Sequence, residues 1–301
     1  MYDIVIIGAG PAGLTAALYA RRAEKSVLVL ERETFGGQIT HSPKVENYPG
    51  IAQMSGNEFA DKLVEQVISH GADIELDEAV AVARDGDVLT VEGKEGTYLC
   101  RSVIIATGSK HRPLGVEYEE TYVGNGISYC AVCDGAFYAG KSVAVVGGGN
   151  TALQEAVMLS DICEKVYIVQ NLPHLTGETR LYEILRKRDN VEIICNHLVD
   201  KIAGEGSVDG IIIKDADSGT RTRLDVDGIF VAIGQIPENE AFANVADLTE
   251  RGYIDAGEDC LTKTPGVFVA GDCRSKTIRQ ITTACGDGAV AATAACRFLE
   301  A

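Results

Sequence analysis

The chain has no tryptophan and only three methionines and five histidines in 301 residues, and it is short of positive charge. Its 27 lysines and arginines face 44 acidic residues, a net charge of -17. That balance repels nucleic-acid phosphates and anionic lipid surfaces alike, so neither nucleic acid nor membrane is an expected partner. A neutral or locally basic protein is easier to hold. No apolar run approaches the roughly 20 residues needed to cross a bilayer. The opening Met1-Tyr-Asp-Ile-Val-Ile-Ile-Gly8 carries no basic stretch and enters an apolar strand pattern at once, unlike a secretory leader. No Gly-x-Ser-x-Gly turn occurs, which removes support for serine-hydrolase chemistry. The histidines show no paired spacing and only one Cys-x-x-Cys is present, so no complete zinc site is expected.

Glycine and cysteine are present in quantity. Thirty-three glycines with 46% apolar residues fit a globular α/β protein. A length of 301 suggests two domains. Nine cysteines, an odd and scattered set in a chain too large to need staples, point to a reducing cytoplasm.

Ile4 to Ile7 is a continuous apolar run, as expected of a parallel strand buried on both faces. It feeds Gly8-Ala-Gly10-Pro-Ala-Gly13, then a helix through Leu14, Ala17 and Leu18. The next strand, Val27 to Leu30, ends at Glu31, 23 positions after Gly8. This is the order of a dinucleotide site: glycines for a tight turn, for close approach of a pyrophosphate and for helix packing, and an acid about 20 residues on for a ribose. A plain glycine-rich βα turn is the alternative. Gly36-Gly37-Gln38 and Glu46-Asn47-Tyr48-Pro49-Gly50 read as loops. Ser55-Gly-Asn-Glu58 has capping-box spacing for the helix that follows. Short strands are expected around Ala79 to Ala83, Val88 to Val91 and Tyr98 to Cys100, with a separate buried strand at Val103 to Ala106.

The opening pattern then returns. Asp3-Ile-Val-Ile-Ile-Gly-Ala-Gly-Pro-Ala-Gly13 and Ser142-Val-Ala-Val-Val-Gly-Gly-Gly-Asn-Thr-Ala152 superpose without a gap, Gly8 on Gly147 and Gly10 on Gly149. A chain with two such turns can hold two dinucleotides. Gly147, Gly149, Asn150 and Thr151 form the second turn, and Gln170 occupies the position of Glu31. A neutral amide there can bond a ribose hydroxyl but does not supply the arginine that pairs with a 2′-phosphate.

Between the two units lies Ser128-Tyr-Cys130-Ala-Val-Cys133-Asp134-Gly135. Two thiols at this spacing can close a small disulfide ring, and Asp134 could take or give the proton that thiol chemistry moves. Half a zinc site, or two small buried apolar residues, are the bland alternatives. Late in the chain, Val267 to Ala270 ends in Gly271-Asp272, which places a carboxylate at a sheet's C-terminal edge, and Arg279-Gln280 precedes a closing alanine-rich helix.

In their order these motifs resemble the low-molecular-weight thioredoxin reductases, over essentially the whole chain. The most specific parts are Cys130-Ala-Val-Cys133-Asp134-Gly135 just ahead of a second glycine turn, and Gly271-Asp272 followed by Arg279-Gln280. The resemblance implies two Rossmann-like three-layer dinucleotide-binding domains, the second inserted into the first. Residues 1–112 and 241–301 would bind FAD, and 113–240 would form the NAD(P)H-binding-like domain carrying the redox pair. Gly8, Gly10, Gly13, Glu31, Gly37, Gln38, Asn47, Asp272, Arg279 and Gln280 match positions that touch FAD. Cys133 would lie nearer the flavin, Cys130 would form the mixed disulfide with thioredoxin, and Asp134 would donate a proton. The implied assembly is a homodimer whose domains rotate about Lys110 to Gly115 and Gly234 to Asn239. One departure stands out. Members using NADPH carry His-Arg-Arg-x-x-x-Arg where this chain has Gln170-Asn-Leu-Pro-His-Leu-Thr176. The donor is therefore left open between NADH, NADPH and a low-potential donor such as ferredoxin or a deazaflavin. Other readings of the same frame are a dithiol oxidase, a reductase of another small redox protein, and a redox sensor without turnover.

Overall fold

Alternating apolar strands and helices assemble two main sheets, one mixed and one parallel, each with its own core. The computed structural model describes residues 1–42 and 45–301, without the side chain of His41. Two compact units result, Met1–Lys110 with Ile236–Ala301, and His111–Gln235.

In the first unit, β1 (Tyr2–Ile7), α1 (Pro11–Arg22) and β2 (Val27–Glu31) make the opening βαβ element, with β1 and β2 parallel. A 3-10 turn at Gly37–His41 and helix α2 (Gly56–Ser69) follow. Gly37 and Gln38, expected in a loop, belong to that turn. The expected capping box is formed: Ser55 Oγ accepts the Glu58 N–H at 3.1 Å and the Glu58 carboxylate accepts the Ser55 N–H at 2.8 Å. Strand β3 (Asp73–Leu76) pairs with β2, and β4 (Ala79–Asp85), β5 (Val88–Gly93) and β6 (Thr97–Ile105) form a meander.

The separate strands expected at Tyr98 to Cys100 and from Val103 are one strand. β6 is long because its first half pairs antiparallel with β5 and most of its length pairs parallel with β1, including Tyr2 with Cys100 and Ile7 with Ile105. The sheet order is β3-β2-β1-β6-β5-β4.

A short strand, β7 (Lys110–His111), leads into the second unit. There α3 (Glu119–Tyr122), β8 (Ile127–Ser128) and the one-turn helix α4 (Ala131–Asp134) precede β9 (Ser142–Val146), α5 (Asn150–Ser160) and β10 (Lys165–Val169). Helix α6 (Thr179–Leu185), β11 (Val191–Ile194) and the meander β12 (His197–Ala203), β13 (Gly210–Asp215) and β14 (Arg221–Leu224) come next, then β15 (Gly228–Val231). The parallel sheet runs β11-β10-β9-β15-β8, and the meander is a separate antiparallel sheet. The chain leaves through β16 (Gln235–Ile236), which pairs with β7. It returns to add β17 (Val267–Val269) beside β6 and to end in α7 (Ile281–Glu300).

The parallel strands β1 and β2 of the first unit and β9 and β15 of the second are buried on both faces, which is why they read as unbroken apolar runs. In the first unit Ile4, Ile6, Val27 and Val29 pack with α1 and α7, whereas Val5, Ile7, Leu28 and Leu30 pack with Val82, Val91 and Phe242. In the second, Val143, Val145 and Ile168 face α5, and Ala144, Val146 and Val169 face Ile211 and Ile213 of the meander. In each unit the central parallel strands thus have an apolar cluster on both faces. No helix among the described residues is long and apolar enough to cross a membrane.

Candidate active site

The first glycine turn follows from where β1 must hand over to α1. Gly8 has φ +108°, and a Cβ there would stand 2.4 Å from the Ala106 carbonyl oxygen at the end of β6. Only glycine can follow β1 into that space. At Gly13 a Cβ would strike the Gly8 carbonyl oxygen at 1.9 Å, so α1 lies directly on the turn. Gly10 is different: its nearest neighbour is the Gly36 carbonyl oxygen at 3.9 Å, and no side chain caps α1. The start of α1 is left open to a ligand, with Pro11 at its first position.

The remaining first-unit residues gather around this turn. Glu31, buried at the end of β2, accepts the Ala9 N–H at 2.8 Å and the Glu33 N–H at 2.9 Å. Gly36 donates its N–H to the Ala9 carbonyl at 2.8 Å, and a Cβ on Gly37 would touch Gly10 Cα at 3.3 Å, with Gln38 next in the same 3-10 turn. Gly271 stands against α1, where a Cβ would meet Ala12 at 2.7 Å. Beside it Asp272 Oδ1 is buried with no hydrogen-bond partner among the described residues. Burial raises the Asp272 carboxyl, and the Lys276 and Arg279 charges oppose that shift. Arg279 donates to the Asp272 carbonyl at 3.3 Å and lies over the Tyr253 ring, while Asn47 Nδ2 donates to Gln280 Oε1 at 3.2 Å.

The turn that carries Asp272 is tied down by residues with no motif to mark them. Asp287 on α7 accepts the Gly271 N–H at 3.0 Å, Arg274 at 3.0 and 3.1 Å, and Lys276 at 2.9 Å.

The second turn repeats the first in detail. Gly147 has φ +135°, and a Cβ would lie 2.4 Å from the Ala232 carbonyl oxygen at the end of β15, as Gly8 does against Ala106. Gly149 precedes α5 with no side-chain cap. Asn150 exchanges hydrogen bonds with Glu178, accepting its N–H at 2.7 Å and donating to its carboxylate at 3.2 Å, and Thr151 is exposed. Gln170 is buried under Gly148, where a Cβ would meet its Nε2 at 2.5 Å, and its Oε1 accepts the Asn171 N–H at 3.2 Å. Thr176 and Gly177 donate to the Gly148 carbonyl at 2.8 and 2.9 Å, as Gly36 does to Ala9. The return loop is therefore part of the repeat. Its trace in the sequence was a glycine a few residues beyond Glu31 and again beyond Gln170. Arg186 is paired with Glu183, and Arg188 with Asp161.

The dithiol lies in this second unit. Cys130 and Cys133 are joined as a disulfide with Cα atoms 5.3 Å apart. Cys130 caps α4, and its Sγ accepts the Cys133 N–H at 3.2 Å, an arrangement that stabilises negative charge on that sulfur. Val132 between them is 58% exposed, so the pair sits at the unit's surface. Beneath it is a polar pocket. Ser128 Oγ donates to Asp134 Oδ2 at 2.6 Å and accepts the Cys130 N–H at 3.1 Å. Asp134 Oδ1 is buried without a partner among the described residues. Burial raises the Asp134 carboxyl above its usual range, and the Ser128 hydroxyl opposes this. Glu155 on α5 is a second buried carboxyl, accepting the Ala131 N–H at 3.3 Å. Neither Ser128 nor Glu155 carried a spacing signal, because both reach the pair only through the fold.

The other seven cysteines are unpaired; Cys195 and Cys285 are half-buried and the rest buried. No group of three metal-ligating side chains occurs among the described residues.

Two dinucleotide turns, with a disulfide one helical turn long just ahead of the second, define a two-domain dinucleotide-binding disulfide oxidoreductase. The comparisons with known proteins agree: a family model described as pyridine nucleotide-disulphide oxidoreductase matches residues 2–288, and the chain belongs to that family. It is 40% identical to the thioredoxin reductase of Listeria monocytogenes over 301 residues, covering 100% of this chain and 94% of that one. It is 42% identical over 298 residues to a 34.2 kDa protein in the rubredoxin operon of Clostridium pasteurianum, covering 99% and 97%. The crystal structure of thioredoxin reductase from Streptococcus pyogenes superposes with a TM-score of 0.95 at 38% identity, covering 100% of this chain and 98% of that one. Such enzymes use FAD and a nicotinamide dinucleotide, and an FAD-dependent disulfide reductase role follows. The first unit fits a flavin dinucleotide: the start of α1 is uncapped, Gly10 is uncrowded and Asp272 Oδ1 has no partner among the described residues.

Proposed function

We propose that this protein reduces thioredoxin, or a thioredoxin-like protein, through the Cys130–Cys133 disulfide. The observation that carries the reading is the pair itself, half-exposed at α4, with Asp134 beside it, one oxygen buried and the other held by Ser128. The relatives named thioredoxin reductase support the same partner.

In this reading Gly8, Gly10, Gly13, Glu31, Gly37, Gln38, Asn47, Asp272, Arg279 and Gln280 hold FAD, which when bound stores an electron pair for delivery to the disulfide. Residues 1–112 and 241–301 form its domain, and 113–240 the domain of the nicotinamide and the dithiol. Once the disulfide has received two electrons, the Cys130 sulfur is the attacking group, helped by the Cys133 N–H that points at it. It bonds to one sulfur of the partner's disulfide, and the other sulfur leaves with a proton. Cys133 then attacks Cys130 Sγ, which closes the ring and releases the partner as a dithiol. Asp134, its carboxyl raised by burial, hands on the proton this exchange requires. The partner bears a neutral or basic docking face, because the chain carries -17. A homodimer in the cytoplasm is the expected setting.

The test is Cys133→Ser in the flavin-loaded enzyme. We expect flavin content to be unchanged and thioredoxin reduction lost; retained turnover would sink the assignment.

For the donor, Gly147, Gly149, Asn150, Thr151 and Gln170 form the nicotinamide site, and NADPH is not strongly preferred over NADH. The run from Gln170 to Thr176 contains no arginine, and Arg186 and Arg188 are held by acids of their own unit. Stopped-flow bleaching of the bound flavin by each nucleotide reads this directly. A large preference for NADPH refutes it, and no bleaching by either points to ferredoxin or a deazaflavin. A second reading, work with another small redox protein, is favoured by the relative from a rubredoxin operon. Turnover compared between rubredoxin and thioredoxin separates the two.

A further inference from the structure

Asp134 is not alone behind the disulfide. Glu155 projects from the second turn of α5, a helix packed against both α4 and α6. Its Oε1 accepts the N–H of Ala131, the residue bonded to Cys130 and the first of α4. Its Oε2 is buried and has no hydrogen-bond partner among the described residues. A carboxyl is an expensive choice for capping one amide, since the second oxygen is stripped of water for nothing. Glutamine would accept the same N–H without the charge. What a carboxyl adds is a removable proton.

We propose that Glu155 is a positioning residue for the Cys130–Cys133 pair, holding the first turn of α4 through Ala131 and taking up a proton when the disulfide is reduced. The inference rests on the disulfide-reductase reading given above. Burial raises the Glu155 carboxyl to about 7, and the Ala131 N–H lowers it somewhat. The elements packed against α5 carry Asp134 beside the dithiol, Tyr138 just after it, Arg180, Tyr182 and Glu183 on α6, and Lys165 and Tyr167 on β10. None of them acts on Glu155, whose proton affinity is set by burial and Ala131. A new negative charge on a sulfur at Ala131's neighbour is then the change that Glu155 meets on reduction.

The balance is simple. With Glu155 ionised, the disulfide takes two electrons from the enzyme's reduced cofactor, and the S–S bond breaks. One proton goes to a sulfur and one to Glu155, leaving a thiol, a thiolate and a neutral carboxyl. Total charge is unchanged, so no uncompensated charge is created in the pocket. With glutamine in its place only the sulfur takes a proton.

The experiment uses flavin-loaded protein equilibrated with dithiothreitol buffers from about pH 6 to 8.5 and quenched with an alkylating reagent to count reduced pairs. Wild type is compared with Glu155→Gln, which keeps an oxygen for the Ala131 N–H. The ratio of their dithiol–disulfide equilibrium constants is expected to be flat below pH 7. Above it the ratio should change by up to about tenfold per pH unit, about 30 mV for a two-electron couple. A flat ratio throughout overturns the proposal. Should the variant not fold, the infrared difference spectrum of Asp134→Asn on reduction near pH 8 decides. It must gain a protonated-carboxyl band, and its absence is equally fatal. Neither measurement involves thioredoxin, so loss of the partner assignment, seen as wild-type protein that never turns over thioredoxin, is told apart from failure here.

Discussion

Residue by residue, the dithiol pocket is a place where carboxyl groups are kept from water. Asp134 and Glu155 each bury an oxygen without a partner among the described residues. This costs stability in a definite pH window. Glu155 rises from an ordinary 4.5 to about 7 on folding, so its neutral form is the one the fold favours. Below the unfolded value the group is neutral in both states and the penalty is absent. It sets in as pH rises through the interval to about 7 and stays constant above. Glu155→Gln should therefore gain about 3 kcal/mol on wild type above pH 7 and nothing near pH 4. Urea unfolding of both oxidised proteins at the two pH values checks this. Equal differences at both would mean that Glu155 does not titrate in the fold.

Single elements meet at the glycine turns, where two backbones approach so closely that side chains are excluded. Gly8→Ala must place a Cβ on the Ala106 carbonyl oxygen at a backbone angle alanine avoids. We expect a loss of about 3 kcal/mol or more, with weakened flavin retention, from strain and overpacking together. Gly86→Ala, at φ +59° in the β4–β5 turn with nothing within 4 Å, should cost only about 1 kcal/mol and leave the flavin in place. Thermal melts and flavin absorbance on the two variants compare them. Early in α7, Asp287 ties Gly271, Arg274 and Lys276 together, and Arg274 and Lys276 hold its carboxyl below the ordinary range despite its burial. Asp287→Ala leaves buried Arg274 with only the exposed Glu258 carboxylate at 3.7 Å and the Ala256 carbonyl at 3.1 Å, a loss of about 3 kcal/mol. That contribution is present above the ordinary carboxylate value and lost as pH falls through the lowered folded value, so wild type and variant should converge in acid denaturation.

At the scale of the whole molecule, the inserted unit is one continuous stretch, His111–Gln235, with core clusters made only of its own residues. A segment with its own core is able to fold alone. Expressed as residues 111–235, it should unfold cooperatively and form the Cys130–Cys133 disulfide without flavin, as circular dichroism and thiol counting would show. A disordered product would mean that the first unit supplies part of its stability. The first unit has no such independence in either segment, since α1 packs on α7 and β17 on β6 across the insertion.

What the sequence determined by itself is whatever repeats at short range. The two glycine turns, the acid or amide that ends each second strand, the Ser55 capping box and the Cys130–Cys133 pair are all set by a few neighbouring residues, and each was legible from spacing. The tertiary structure decided whatever depends on distant parts of the chain. β6 is one strand rather than two because β1 continues the pairing that β5 begins. Glu155 reaches Ala131 from 24 residues away, and Asp287 reaches Gly271 from 16. Such contacts leave no local pattern, because the energy that selects them comes from burying a polar group against a partner that only the packed sheet and helices bring near.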